Sequence, residues 1–207
     1  MPANNLSAPE LYHLQQTRRS IRHYTPQAVP SALVERLLTA AAWAPSSHNR
    51  QPWRFATLTA PEAKARLARA MGEQLRADRL ADGDPAPAVE ADAARSFARI
   101  TGAQVVIVAC LSLADMDRYP DPRRAAAERT MAVQSVAMAV QNLLLAAHAE
   151  GLAACWLCAP LFCSEVVCRS LDLPADWEAQ ALVTLGYPAG DGKPATRVPL
   201  SERVLAR

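Results

Sequence analysis

Arg18-Arg19-Ser20-Ile21-Arg22 gathers three guanidinium groups and a hydroxyl within five residues. Guanidinium binds phosphate bidentately and serine adds a donor, so the cluster suits an anionic group, although the same residues could close a solvated helix end. With only seven glycines, and no G-x-G-x-x-G or G-x-x-x-x-G-K-[ST] among them, a phosphorylated cofactor would have to be held by side chains. Pro45-Ser46-Ser47-His48-Asn49-Arg50-Gln51-Pro52-Trp53 is the second candidate. Asn49 and Gln51 both donate and accept, which suits a heterocycle edge of alternating carbonyl and N–H groups such as the flavin pyrimidine. The stretch also reads as an ordinary helix-to-strand connection with Ser and Asn satisfying turn backbone.

The third candidate runs from Gly151-Leu152-Ala153-Ala154-Cys155 through Trp156-Leu157-Cys158-Ala159-Pro160. It reads as a core strand entering a helix, and backbone N–H groups at the strand's end could meet a flat ligand. Hydrolytic readings have less behind them. Ser46, Ser47 and His48 are too close in sequence to imply a triad, and no G-x-S-x-G elbow exists. His13, His23 and His148 occur singly and set no metal pattern.

Cys110, Cys155, Cys158, Cys163 and Cys168 are odd in number, which disfavours a disulfide framework. Their spacing departs from the two separated ligand pairs of a structural zinc site, and Cys155-x-x-Cys158 lies in a strand context with bulky Trp156 and Leu157 between. They are expected to pack as small hydrophobes, with no basic neighbour to activate a thiol and no metal.

The elements that must position these residues follow from periodicity. Helices are expected over residues 8–18 and 30–44, the latter with Leu33, Val34, Leu37, Leu38 and Ala41 on one face. A strand follows over 53–58, and Thr59-x-x-Glu62 offers a capping box for a helix to about 81. The 82–87 breaker cluster is expected to be a flexible loop before a helix over 88–101. Val105-Val106-Ile107-Val108 marks a strand buried on both faces, and a long apolar helix over about 124–150 stops at Gly151. A strand over 153–157, a helix over 160–171 and a strand over 178–185 complete the set. The last twenty residues lack periodicity and are either disordered or wrapped on a neighbour.

This irregular mixture predicts an α+β fold in a single domain spanning residues 1–207, which 51% hydrophobic residues can stabilise without disulfides. A net charge of +2, from 22 basic and 20 acidic residues without a polybasic run, indicates neither nucleic acid nor an anionic membrane as partner. Met1-Pro2-Ala3-Asn4-Asn5 lacks a signal-peptide pattern, and polar residues interrupt the most apolar window, 131–149, so a cytoplasmic location is expected.

Arg18-Arg19-Ser20-x-Arg22, Pro45-Ser46-Ser47-x-Asn49-x-Gln51-Pro52-Trp53, Gly151-Leu152 with Cys155-Trp156, and Gly186-Tyr187-Pro188 followed by Arg197 resemble, in order and spacing, the nitroreductase family. The segments at 76–83, 119–121, 127–131 and 171–178 resemble a narrower branch, which includes the C-terminal reductase domain of the glutamate ligase that makes the deazaflavin coenzyme. The resemblance implies a central, mostly antiparallel sheet packed by helices, FMN as cofactor, and a homodimer with shared active sites onto whose partner the C-terminal tail extends. Arg18, Ser20 and Arg197 would hold the FMN phosphate, with Arg19 assisting. Arg22 would approach the pyrimidine side, where a cation stabilises the reduced anion. Pro45, Ser46, Ser47 and Asn49 would come from the partner subunit, with Gln51 beside them. Trp156, Leu157, Cys158 and Ala159 would border the flavin, with the Cys158 and Ala159 backbone near N5. Many relatives have Gly-Gly where this chain has Cys158-Ala159.

The activity so implied is a ping-pong transfer of hydride from NAD(P)H through flavin N5 to an oxidised small molecule: a nitroaromatic, a quinone or a conjugated compound. Three alternatives remain open: reduction of an unsaturated biosynthetic intermediate in a deazaflavin-coenzyme-like pathway, fragmentation of reduced flavin by oxygen, and a flavin-binding or thiol redox sensor without turnover.

Overall fold

A computed structural model describes residues 7–206; the signal-peptide reading of residues 1–5 therefore lies outside the described residues. Four strands, β1 (Trp53–Leu58), β2 (Val105–Ser112), β3 (Ala153–Leu157) and β4 (Trp177–Gly186), form one sheet in the order β1-β2-β4-β3 with every neighbouring pair antiparallel. Strand β2 is buried along its whole length, as its unbroken apolar run requires of a central strand. Val105, Ile107, Ala109 and Leu111 face one core, and Val106, Val108 and Cys110 the other. A bulge opposite Ala109 and Cys110 lets β4 change face, so that Ala181 and Val183 join the first core while Ala179 and Leu182 join the second.

The first core is closed by α2 (Ser31–Ala42) and α5 (Pro122–Ala149). Leu33, Val34, Leu37 and Ala41 are buried as the spacing predicts, with Leu38 partly so. Helix α5 is long and apolar enough to cross a membrane, but it packs Val136, Ala139, Val140 and Leu143 against the sheet. It begins two residues earlier than expected, capped by the Asp121 side chain, and ends at Gly151 in the left-handed conformation.

The second core lies under α3 (Pro61–Ala81), α4 (Ala86–Thr101) and α6 (Ser164–Ser170). The expected capping box at Thr59 does not form. Pro61 takes the first helical position, where its fixed φ and missing N–H cost nothing, so the cap falls on Ala60. The expected flexible loop is instead a four-residue turn held by Arg79, whose Nε donates to Asp84 at 2.5 Å and whose guanidinium also pairs with Asp92. The helix expected over 160–171 divides into a 3-10 turn (Ala159–Phe162) and α6, because Cys163 leaves helical geometry between them.

Helix α1 (Ala8–Thr17) starts in a capping box of Ser7 and Glu10, contacts α5, and buries none of its residues. Beyond it, residues 20–25 are sewn to the sheet's β3 edge. Ser20 bridges Ala154 in parallel, Thr25 N donates to Tyr187 O at 2.9 Å, and Ala189 N donates to His23 O at 3.1 Å. The Tyr24 hydroxyl fixes this segment by donating to Ile21 O or Thr184 O, at 2.8 and 3.0 Å, and burial pushes its pKa up.

Candidate functional site

The sewn segment makes one wall of a cleft of about 640 Å³, and residues of the C-terminal tail make the other. Arg18, Arg19, Ser20 and Arg22 line it from the first wall, Lys193 and Arg197 from the second, and Arg99 of α4 from the side. Sequence reasoning linked Arg197 to the N-terminal cluster only by resemblance, and it missed Lys193 as a contact and Arg99 altogether. No carboxylate among the described residues lines the cleft, so its cations lack a counter-charge and an oxyanion is the chemistry they fit. Three of the guanidinium groups each place Nη1 on a local carbonyl: Arg19 on Gln16 O at 2.5 Å, Arg22 on Ser20 O at 3.3 Å and Arg197 on Thr196 O at 2.8 Å. Gly192 allows the tail to close on this wall. Its φ is +75°, and a Cβ there would stand 2.9 Å from Ile21 Cγ1 and 3.2 Å from Arg19 Cβ.

His148, at the end of α5, meets the base of the cluster through Thr17 Oγ1 at 2.9 Å. Burial first, then the neighbouring Arg18 and Arg19, hold its pKa below the ordinary value of 6.5.

The Pro45–Gln51 loop is elsewhere: none of its residues lines the cleft. It sits on α5, where Ser47 N donates to Ser135 Oγ at 3.3 Å and the Ser47 hydroxyl contacts Met131 Sδ. His48, Asn49 and Gln51 all have φ near +50°, a left-handed conformation unfavourable for side chains with Cβ. Ser46 Oγ accepts from Gln51 N at 3.0 Å, and Gln51 Nε2 donates to Asn49 Oδ1 at 3.2 Å, so the loop braces itself while Asn49 and Gln51 stay exposed. Within one chain, the two candidate motifs do not meet.

Strand β3 does reach the cleft, through the Ser20–Ala154 bridge. Trp156 and Leu157 are half-buried, on opposite faces of the sheet. Two expectations about the cysteines need correction. Cys158 is exposed and does not pack, because β3 ends at Leu157 and Cys158 opens the 3-10 turn. Cys155 is buried as expected, but it does have basic neighbours: Arg22, Arg99 and Arg18 favour its thiolate, and burial outweighs them and raises its pKa. All five cysteines are free, with Cys163 and Cys168 half-buried.

A model of the nitroreductase family matches residues 16–187. The chain belongs to the nitroreductase family. Among curated relatives it is 32% identical to an NADH dehydrogenase of Thermus thermophilus, over 92% of each chain. It is 31% identical to a 5,6-dimethylbenzimidazole synthase of Rhodobacter capsulatus, over 83% of this chain and 80% of that one. Among solved structures, a nitroreductase in complex with FMN from Desulfovibrio desulfuricans superposes with a TM-score of 0.73 at 29% identity, covering 95% and 96% of the two chains. In this nitroreductase fold, Arg99 is the principal cleft residue that sequence reading missed. It lies on an exposed helix face six residues before β2 and carried no local signal beyond its charge.

Proposed function

We propose that this protein is an FMN-dependent oxidoreductase that carries reducing equivalents from NAD(P)H to an oxidised small-molecule acceptor, a nitroaromatic, quinone or conjugated compound, in a ping-pong sequence. The observation that carries the reading is the cleft in which Arg18, Arg19, Ser20 and Arg22 face Lys193 and Arg197 without a competing carboxylate among the described residues, in a chain of the nitroreductase family. FMN, when bound, supplies the chemistry by accepting hydride at N5 from NAD(P)H and passing it on.

Arg18, Ser20 and Arg197 hold the phosphate in this reading, with Arg19 assisting. Arg22 sets a positive charge at the pyrimidine side. Trp156, Leu157 and the backbone of Cys158 and Ala159 border the ring. Pro45, Ser46, Ser47, Asn49 and Gln51 complete the site from a partner subunit, which accounts for their distance from the cleft of their own chain.

Unpartnered apolar side chains support this dimer. Leu11 and Tyr12 on α1, Trp43 after α2, and Val198, Leu200, Val204 and Leu205 on the tail are all exposed in the single chain. The tail extends onto the partner in this arrangement. Deleting residues 189–207 lowers both dimer content and FMN occupancy in sedimentation and absorbance measurements. A monomeric, fully flavinated truncation refutes the shared site.

The catalytic reading is tested by steady-state kinetics on the yellow purified protein. Parallel double-reciprocal lines for NAD(P)H against 1,4-benzoquinone support it, and converging lines or colourless protein refute it. A second reading, fragmentation of reduced flavin by oxygen, has behind it the relative named as a 5,6-dimethylbenzimidazole synthase. It requires flavin absorbance to be lost irreversibly during aerobic turnover.

A further inference from the structure

We propose that a second cavity, between the α3–α4 hairpin and the Ala159–Phe162 turn, is the acceptor subsite, and that it selects planar conjugated compounds carrying one carboxylate. The proposal rests on the flavin reading above, which puts the Ala159 backbone beside N5. The cavity measures about 330 Å³, near the small end for ligand pockets and suited to one or two rings rather than a dinucleotide.

Met71 and Leu75 give it an apolar floor, Ala159 lines it from the turn, and the Phe162 ring, 81% exposed, stands at its mouth. An exposed phenyl group beside an apolar floor offers a stacking surface for a flat ligand.

The charges select the ligand's polar group. Asp92 is engaged by both Arg79 and Arg95, Arg79 also holds Asp84, and Asp78 accepts from Gln74 Nε2 at 2.7 Å. Arg99 alone of the lining guanidinium groups has no carboxylate partner among the described residues, and it lines both this cavity and the basic cleft. An anion placed on Arg99 would hold an attached ring between Phe162 and Leu75, against the residue bordering the flavin. A neutral analogue would leave Arg99 without its acceptor and lose the discrimination that a charge-assisted bond provides.

The probes are benzoate and its neutral isostere benzamide, followed by calorimetry on FMN-loaded and FMN-free protein. Benzoate should bind at least tenfold more tightly than benzamide and shift the flavin absorbance of the loaded protein. Ser96→Trp, which fills the cavity from α4, should abolish benzoate binding at unchanged FMN content. Arg99→Gln should bring benzoate and benzamide to equal affinity, which keeps the proposal testable if the tryptophan variant fails to fold. Equal binding of the two probes to the unmodified protein, or undiminished benzoate binding to folded Ser96→Trp, overturns the subsite. Benzoate bound without any flavin shift overturns its role toward the acceptor. Protein that takes up no FMN but still binds benzoate selectively counts against the flavin reading and leaves the anion-selective cavity standing.

Discussion

Gly192→Ala isolates the contribution of the tail to the basic cleft. An alanine at φ +75° costs about 1–2 kcal/mol of backbone strain. Its Cβ would also meet Ile21 Cγ1 at 2.9 Å and Arg19 Cβ at 3.2 Å, an overlap that adds about 1–3 kcal/mol unless something moves. The stretch that walls the cleft can move, because residues 188–197 are all exposed and anchor no core, while the apolar residues from Val198 onward keep their place on the partner in the proposed dimer. The variant therefore escapes its strain by lifting the tail away, and the loss is capped by what the tail gives the ligand. For one charge-assisted contact from Arg197 that cap is about 1.5–3 kcal/mol. With the strain above about 2 kcal/mol the tail's contribution sets the loss, so FMN should bind roughly ten- to hundredfold more weakly, at 1.4 kcal/mol per factor of ten. The FMN-free thermal midpoint should stay within about a degree of the unmodified protein, since no core packing changes. Gly190→Ala is the control, because nothing stands within 4 Å of a Cβ there and its φ is not left-handed. Titration followed by flavin fluorescence reads the outcome. Unchanged FMN affinity for Gly192→Ala would refute the reasoning, as would an equal loss for riboflavin, which has no phosphate for the tail to hold.

Arg18→Ala and Arg197→Ala should each weaken FMN by about 1.5–3 kcal/mol and leave riboflavin nearly unaffected, as paired titrations would reveal. His148 should report on the phosphate. Its folded pKa lies below 6.5, so the unfolded state binds more protons there and stability falls as acidification passes through the folded value. An anion beside Arg18 and Arg19 offsets their repulsion, so the imidazole NMR titration should move up on adding FMN, and a fixed or falling midpoint contradicts the placement. Cys155→Ala should cost on the order of 1 kcal/mol in chemical denaturation, on the small-cavity scale, and leave turnover intact. Flavin-loaded Cys155→Ala protein without activity would instead point to a thiol relay.

Much of the fold was legible because its signals are local. The unbroken apolar run of β2, the three- and four-residue spacing of Leu33, Val34, Leu37 and Ala41, and the stop at Gly151 each depend on near neighbours in sequence. The misreadings arise where a competing local preference or a distant contact decides. Pro61 displaced the cap from Thr59, and Arg79 converted the 82–87 breaker into a short turn by reaching Asp84 and Asp92. Cys158 lies a single residue past the end of β3, which is enough to turn it from packing to exposure. The N-terminal arginines were visible as a cluster, but Arg99 joins them only because α4 packs Phe97 and Ile100 into the second core and so brings the residue beside Ile100 to the cleft. The left-handed residues His48, Asn49 and Gln51 carried only a weak sequence signal, since Asn and His tolerate that conformation and Gln51 is not a residue that favours it.

The cleft's two walls come from residues 18–23 and 189–197, opposite ends of the chain. A ligand that joins them works as a clasp, and its free energy of binding is added to the closed form in proportion to the logarithm of its concentration. When the clasp is empty, the exposed tail is the segment most readily presented to a protease. Riboflavin supply would thus bear on the lifetime of this protein as well as its colour, since chains without the clasp are cut sooner than loaded ones.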